Sequence, residues 1–141
     1  MTALYGAARL RRELELLGYA VAETEPDFLS VHHVVEVGPL AGEQVELGWK
    51  VPGDFPASAP GGLLVRPHLL AVGQPGEHPL GAIHLATTGG VADEMWQYWS
   101  RPHADWLRST KDARALLGHV RRLFHTLPAD LTMPHEEAAH A

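Results

Sequence analysis

The chain has 141 residues, of which 45% are hydrophobic and 20% are charged, a composition typical of a soluble globular domain with one core. Its 17 acidic residues outnumber 11 lysines and arginines, for a net charge of −6. An acidic surface argues against sequence-independent nucleic-acid binding, which needs clustered cations. The chain has no cysteine, which excludes disulfides, thiolate nucleophiles and thiolate metal sites.

The distribution of charged and apolar residues predicts where the protein is located and how its domain is bounded. Arg9, Arg11 and Arg12 interrupt any apolar run that would form a signal peptide. No apolar stretch approaches the roughly 20 residues that span a bilayer. We therefore expect a cytoplasmic protein with one domain over residues 1–128 and a flexible, proline-broken tail over residues 129–141.

The first predicted element is an amphipathic helix near the N-terminus. Apolar residues recur there at helical spacing: Leu4, Ala7, Leu10, Leu14 and Leu17. Gly18 follows them and favours the end of the helix, since glycine readily adopts the left-handed conformation found after many helices.

An antiparallel sheet is predicted next. Residues 29–37 and 45–51 alternate apolar and polar side chains, which is typical of strands with one buried face and one wet face. A further strand is expected over residues 62–66. Residues 73–90 are rich in glycine, proline and small side chains, so we expect a long loop there.

Helices are predicted again toward the C-terminus. Asp93 is expected to cap a short helix that carries Trp96 and Trp99, and a longer amphipathic helix is expected from an N-cap at position 109 or 110 to a stop before Pro128. The chain therefore predicts an α+β fold with an N-terminal helix, an antiparallel four-stranded meander sheet, a long loop and C-terminal helices.

Three segments of the chain together resemble ubiquitin-conjugating enzymes. Residues 51–60, V-P-G-D-F-P-A-S-A-P, resemble the proline-flanked aromatic turn after the third strand of that family. Residues 78–85, H-P-L-G-A-I-H-L, are similar to its active-site stretch, and residues 96–102 resemble the tryptophan-and-proline element that follows. The resemblance covers roughly residues 5–128 and implies a UBC-like fold with a long active-site-type loop.

The resemblance also identifies candidate catalytic residues, and here the chain departs from the family. His78 matches the family's loop-holding histidine, and His84 stands where the thioester-forming cysteine is expected. Leu80 stands where the family has the asparagine that donates a hydrogen bond to the oxyanion, or the loop is shortened; an isobutyl group cannot donate that bond, so the stabilisation is missing. Three roles stay open for His84: a structural polar residue, a general base, or a nucleophile that carries an acyl group.

A second group of residues is predicted to contact a partner. Aromatic side chains anchor many protein interfaces, and we expect Tyr98 and Trp106 to face the partner more than the other tryptophans do. The candidate binding residues are Leu80, Tyr98, Trp99, His103 and Trp106. No cofactor is expected.

The spacing of the histidines argues against a metal site. The chain also has no cysteine ligands and no H-E-x-x-H pattern, which would support one. His78, His84 and His103 would converge only if the predicted loop folds back over the sheet.

The resemblance implies a cysteine-less UBC-fold protein of a bacterial ubiquitin-like conjugation pathway. Such a protein would bind a ubiquitin-like protein, or an activating or conjugating enzyme, non-covalently, with no nucleic-acid or membrane partner. An alternative is a histidine-dependent conjugating enzyme that uses His84. A third is an ordinary α+β domain whose similarity to the family is fortuitous.

Overall fold

The computed structural model describes residues 4–70 and 83–134, and within these ranges the chain is a mixed α+β fold. It contains the helices α1 (Gly6–Leu16) and α2 (Ala113–His125) and two short 3-10 helices, Ala86–Gly89 and Trp106–Arg108. The six strands are β1 (Ala22–Glu25), β2 (Phe28–Val34), β3 (Gln44–Lys50), β4 (Leu63–Arg66), β5 (Ile83–Leu85) and β6 (Gln97–Trp99). No helix within the described ranges is long and apolar enough to cross a membrane.

Helix α1 forms where the apolar spacing predicts it. Leu10 and Leu14 are completely buried, and Gly18 follows the helix with a φ of +98°, as expected for a glycine stop. Glu13 joins the two helices, because one carboxylate oxygen accepts from Arg9 Nε and the other from the backbone N–H of Ala113.

Helix α2 begins later than the sequence predicts, because Asp112 is its N-cap. The Asp112 carboxylate accepts a hydrogen bond from the backbone N–H of Ala115 at 3.0 Å. Ser109 serves the preceding 3-10 turn instead: its hydroxyl donates to Trp106 O and accepts from the N–H of Lys111. The prediction of a cap at position 109 or 110 is therefore wrong.

Among the described residues the sheet has six antiparallel strands in the order β1-β2-β3-β4-β6-β5, rather than the four that the sequence predicts. The first four strands are neighbours in chain order, β6 pairs with β4, and β5 lies at the outer edge. The sequence does not predict strand β1, because its residues are mostly exposed and carry no apolar alternation. Strand β5 falls inside the predicted loop 73–90; residues 71–82 of that loop lie outside the described ranges.

The short helix predicted after Asp93 is wrong, because residues 97–99 form strand β6. Trp96 and Trp99 are both buried but belong to different apolar clusters. A spacing of three residues is compatible with one helical face, but strand alternation here directs the two rings to opposite faces of the sheet.

Each face of the sheet has its own core. On the inner face α1 and α2 pack against the strands, and the rings of Trp99 and Phe124 lie 5.4 Å apart. On the outer face a smaller cluster is covered by the segment between β5 and β6. There the rings of Phe28 and Trp96 meet edge to face at 5.1 Å, and the Arg66 guanidinium lies 4.8 Å from the Trp96 ring.

The outer core predicts a specific sensitivity at Gly48. A Cβ at this position would approach the Phe28 ring to 2.5 Å and the Trp96 ring to 3.3 Å, and overpacking of this kind typically costs about 1–3 kcal/mol. We expect Gly48→Ala to lower the free energy of unfolding by that amount in urea denaturation. Gly53→Ala is the control, because a Cβ there meets nothing within 4 Å. Equal stabilities of the two variants would contradict this packing.

Candidate functional site

The proline-flanked turn at residues 51–60 packs against Trp106, which precedes α2 in the chain. Phe55 is completely buried, and its ring lies 5.8 Å from that of Trp106. The indole N–H of Trp106 donates to Pro56 O at 2.8 Å. The sequence predicts Trp106 on a partner-facing surface; the structure instead leaves it only 5% exposed, because both its ring and its N–H are satisfied inside the fold.

The buried side chain of Gln97 ties β6 to the segment that follows β4. Its Oε1 accepts hydrogen bonds from the backbone N–H groups of Leu69 and Leu70, each at 3.2 Å, and from the indole N–H of Trp99 at 2.9 Å. Its amide nitrogen donates to Leu70 O. Sequence analysis missed this residue, since a lone glutamine between tryptophans carries no signal beyond strand alternation.

His84 lies at the centre of β5, on the edge of the sheet. It is half-buried, between the buried Ile83 and Leu85, which is 54% exposed. Its neighbour across the ladder is Tyr98, and the two rings lie 6.1 Å apart. His84 is therefore held against one aromatic ring and remains accessible from solvent.

Tyr98 occupies a slot between two glycines. A Cβ on Gly62 or on Gly89 would approach atoms of the Tyr98 ring to 2.7 and 2.5 Å, so neither position accepts a side chain without movement. Burial raises the pKa of Tyr98, and the phenol stays neutral at physiological pH. Its neighbour Trp99 is completely buried in the inner core, so this predicted binding residue offers no surface to a partner.

The structure does not bring His84 and His103 together. The His103 ring packs against Trp106 and His119, at centroid distances of 5.6 and 5.2 Å, on the inner side with α2. His84 pairs with Tyr98, which belongs to the outer core. The remaining predicted residues, His78 and Leu80, lie outside the described ranges. No group of three or more metal-ligating side chains occurs among the described residues.

The contact between the His103 and His119 rings is a feature that sequence analysis missed, because it joins residues of a loop and a helix with no motif spacing. The Nε2–H of His119 donates to Arg101 O at 2.7 Å. Nδ1 of His103 is buried without a hydrogen-bond partner in the described part of the chain. Burial lowers the pKa of both imidazoles, and the nearby Arg122 guanidinium lowers each further.

Comparison of the chain with protein-family models, curated proteins and solved structures found no match.

The lowered pKa values predict how stability changes with acidity. Below about pH 6.5, the usual pKa of histidine, the unfolded chain binds protons that the folded chain resists. The free energy of unfolding is therefore highest above that pH and falls as the pH decreases from 7 to 5. His119 contributes through burial and through its neighbours His103, Arg122 and Arg101.

We expect His119→Gln to reduce this loss of stability, because glutamine keeps a donor for Arg101 O but takes up no proton. Urea denaturation of both proteins at pH 7, 6 and 5 measures the difference. His32→Gln is the control, since that side chain is 80% exposed. A pH dependence in His119→Gln as steep as in the unmodified protein would refute the assignment.

Proposed function

We propose that this chain is a UBC-fold protein of a bacterial ubiquitin-like conjugation pathway. It binds a ubiquitin-like protein, or an activating or conjugating enzyme, without forming a thioester. The observation that carries the proposal is the environment of His84: the residue at the position resembling the thioester cysteine is half-exposed on an edge strand, in a chain that has no thiol. A partner can reach this surface, but no thioester can form there.

The order of the elements supports the resemblance on which the proposal rests. An N-terminal helix is followed by strands that are neighbours in chain order, then by the turn at residues 51–60 and the hairpin that carries His84. The aromatic residue of that turn, Phe55, is fully buried against Trp106, as a structural role for the turn requires.

Two exposed apolar side chains supply a contact surface at the sheet edge that carries His84, and strand alternation directs Leu85 to the face of β5 opposite the imidazole. Leu85 is 54% exposed and Met95 is 63% exposed. Leu85 pairs with Gln97, two residues after Met95, so both side chains lie at the same end of the β5–β6 hairpin. Apolar anchors inside a polar rim are typical of protein interfaces, and a small interface of this type gives micromolar affinity.

The alternative function is a histidine-dependent conjugating enzyme. The partial exposure of His84 favours it, because an accessible imidazole can act as a general base or accept an acyl group. Acyl-imidazoles hydrolyse quickly in water, so His84 suits transient chemistry better than the storage of an activated protein.

The contact surface predicts a loss of affinity on mutation. We expect Leu85→Ser to weaken binding to a ubiquitin-like protein by about tenfold, since one buried apolar anchor contributes on the order of 1–3 kcal/mol. Isothermal titration calorimetry measures the change. Val34→Ser is the matched control, because Val34 is 53% exposed but lies on β2, away from the hairpin. Equal affinities of the two variants would show that β5 is not part of the interface.

A further inference from the structure

We infer that a groove along α2 binds an extended acidic segment of a partner protein. The groove, termed here the arginine groove, has a volume of about 570 Å³ and is open to solvent. Arginines line it from the loop before α2 to the last turns of the helix, with a glycine between two of them: Arg108, Arg114, Gly118 and Arg122.

The charges of the groove favour an anionic ligand. Arg108, Arg114 and Arg122 form no ion pair with any described residue, whereas Arg9, Arg11, Arg66 and Arg121 all do so. Asp105 and Asp112 also line the groove. Oδ1 of Asp112 accepts from the Ala115 N–H and the Thr110 hydroxyl, and the three arginines outnumber the two carboxylates by one charge. The arginine groove is therefore a local cationic strip on a chain of net charge −6.

The spacing of the arginines fits an extended ligand. Arg114 and Arg122 are eight residues apart on α2, which places their Cα atoms about 12 Å apart along the helix. An extended peptide rises about 3.3 Å per residue, so about four residues span the distance and carry acidic side chains to each guanidinium.

Gly118 is the second, independent observation. It lies inside α2, where glycine destabilises a helix relative to alanine. The fold does not require it: the nearest atom to a Cβ at this position is a terminal nitrogen of Arg122 at 3.9 Å, an ordinary contact. The missing side chain leaves room on the floor of the groove beside the Arg122 guanidinium, where the backbone of a peptide can approach the helix.

This inference does not depend on the proposed role in conjugation. The arginine groove lies on the α2 side of the sheet, and the surface beside His84 lies on the edge strand β5. Acidic-peptide binding can therefore be present when no ubiquitin-like protein binds, and either proposal can fail alone.

Fluorescence polarisation with a fluorescein-labelled hexaglutamate peptide tests the groove at low salt. We expect the full chain to bind hexaglutamate and not labelled hexaglutamine. The double variant Arg114→Glu/Arg122→Glu should weaken binding at least about tenfold. Arg12→Glu is the control, since Arg12 is an exposed residue of α1 outside the groove and should leave affinity unchanged.

Gly118→Gln separates binding from stability. It should abolish hexaglutamate binding by filling the groove while leaving the urea midpoint equal or higher, because glutamine is the better helix former. Absence of hexaglutamate binding to the unmodified chain, or unchanged binding in the double variant or in Gly118→Gln, would overturn the proposal. So would inorganic phosphate that displaces the peptide at equal concentration, since the groove would then be a small-anion site.

Discussion

The position of His84 depends on the buried amide of Gln97. Strand β5 pairs, among the described residues, with β6 alone. Strand β6 is held by its pairing with β4 and by the Gln97 hydrogen bonds to Leu69 and Leu70 in the chain after β4. Removing this acceptor would leave buried N–H groups unsatisfied, at about 1–3 kcal/mol each. One polar side chain in the core therefore supports the edge strand on which the proposed interface lies.

The sheet separates two surfaces with different chemistry. Its edge strand offers an imidazole and exposed apolar side chains, while the helical layer offers arginines beside two histidines whose rings lie 5.2 Å apart. Glu13 couples the helices by accepting from Arg9 and from the first N–H of α2. The two surfaces are built from different elements, so a variant at one leaves the residues of the other in place.

Sequence analysis predicted the long periodic elements and missed the short ones. Leu10 and Leu14 in α1 and the alternation in β3 each repeat often enough to identify one buried face. Strands of three or four residues such as β5 and β1 carry too few positions to show a period. The Trp96–Trp99 spacing favours a helix in the sequence, but residues 97–99 pair as a strand in the structure. His84 could be identified by motif order, whereas the His103–His119 contact depends on tertiary packing. The UBC relationship remains a prediction.

A native mass spectrum tests the central claim, that the surface around His84 binds a partner without carrying it covalently. The chain is mixed with ATP, a ubiquitin-like protein and its activating enzyme, and His84→Ala is measured in parallel. We predict a non-covalent complex of the same mass in both samples. A covalent adduct that forms with the unmodified chain and disappears in His84→Ala would contradict the account and identify a histidine-dependent conjugating enzyme.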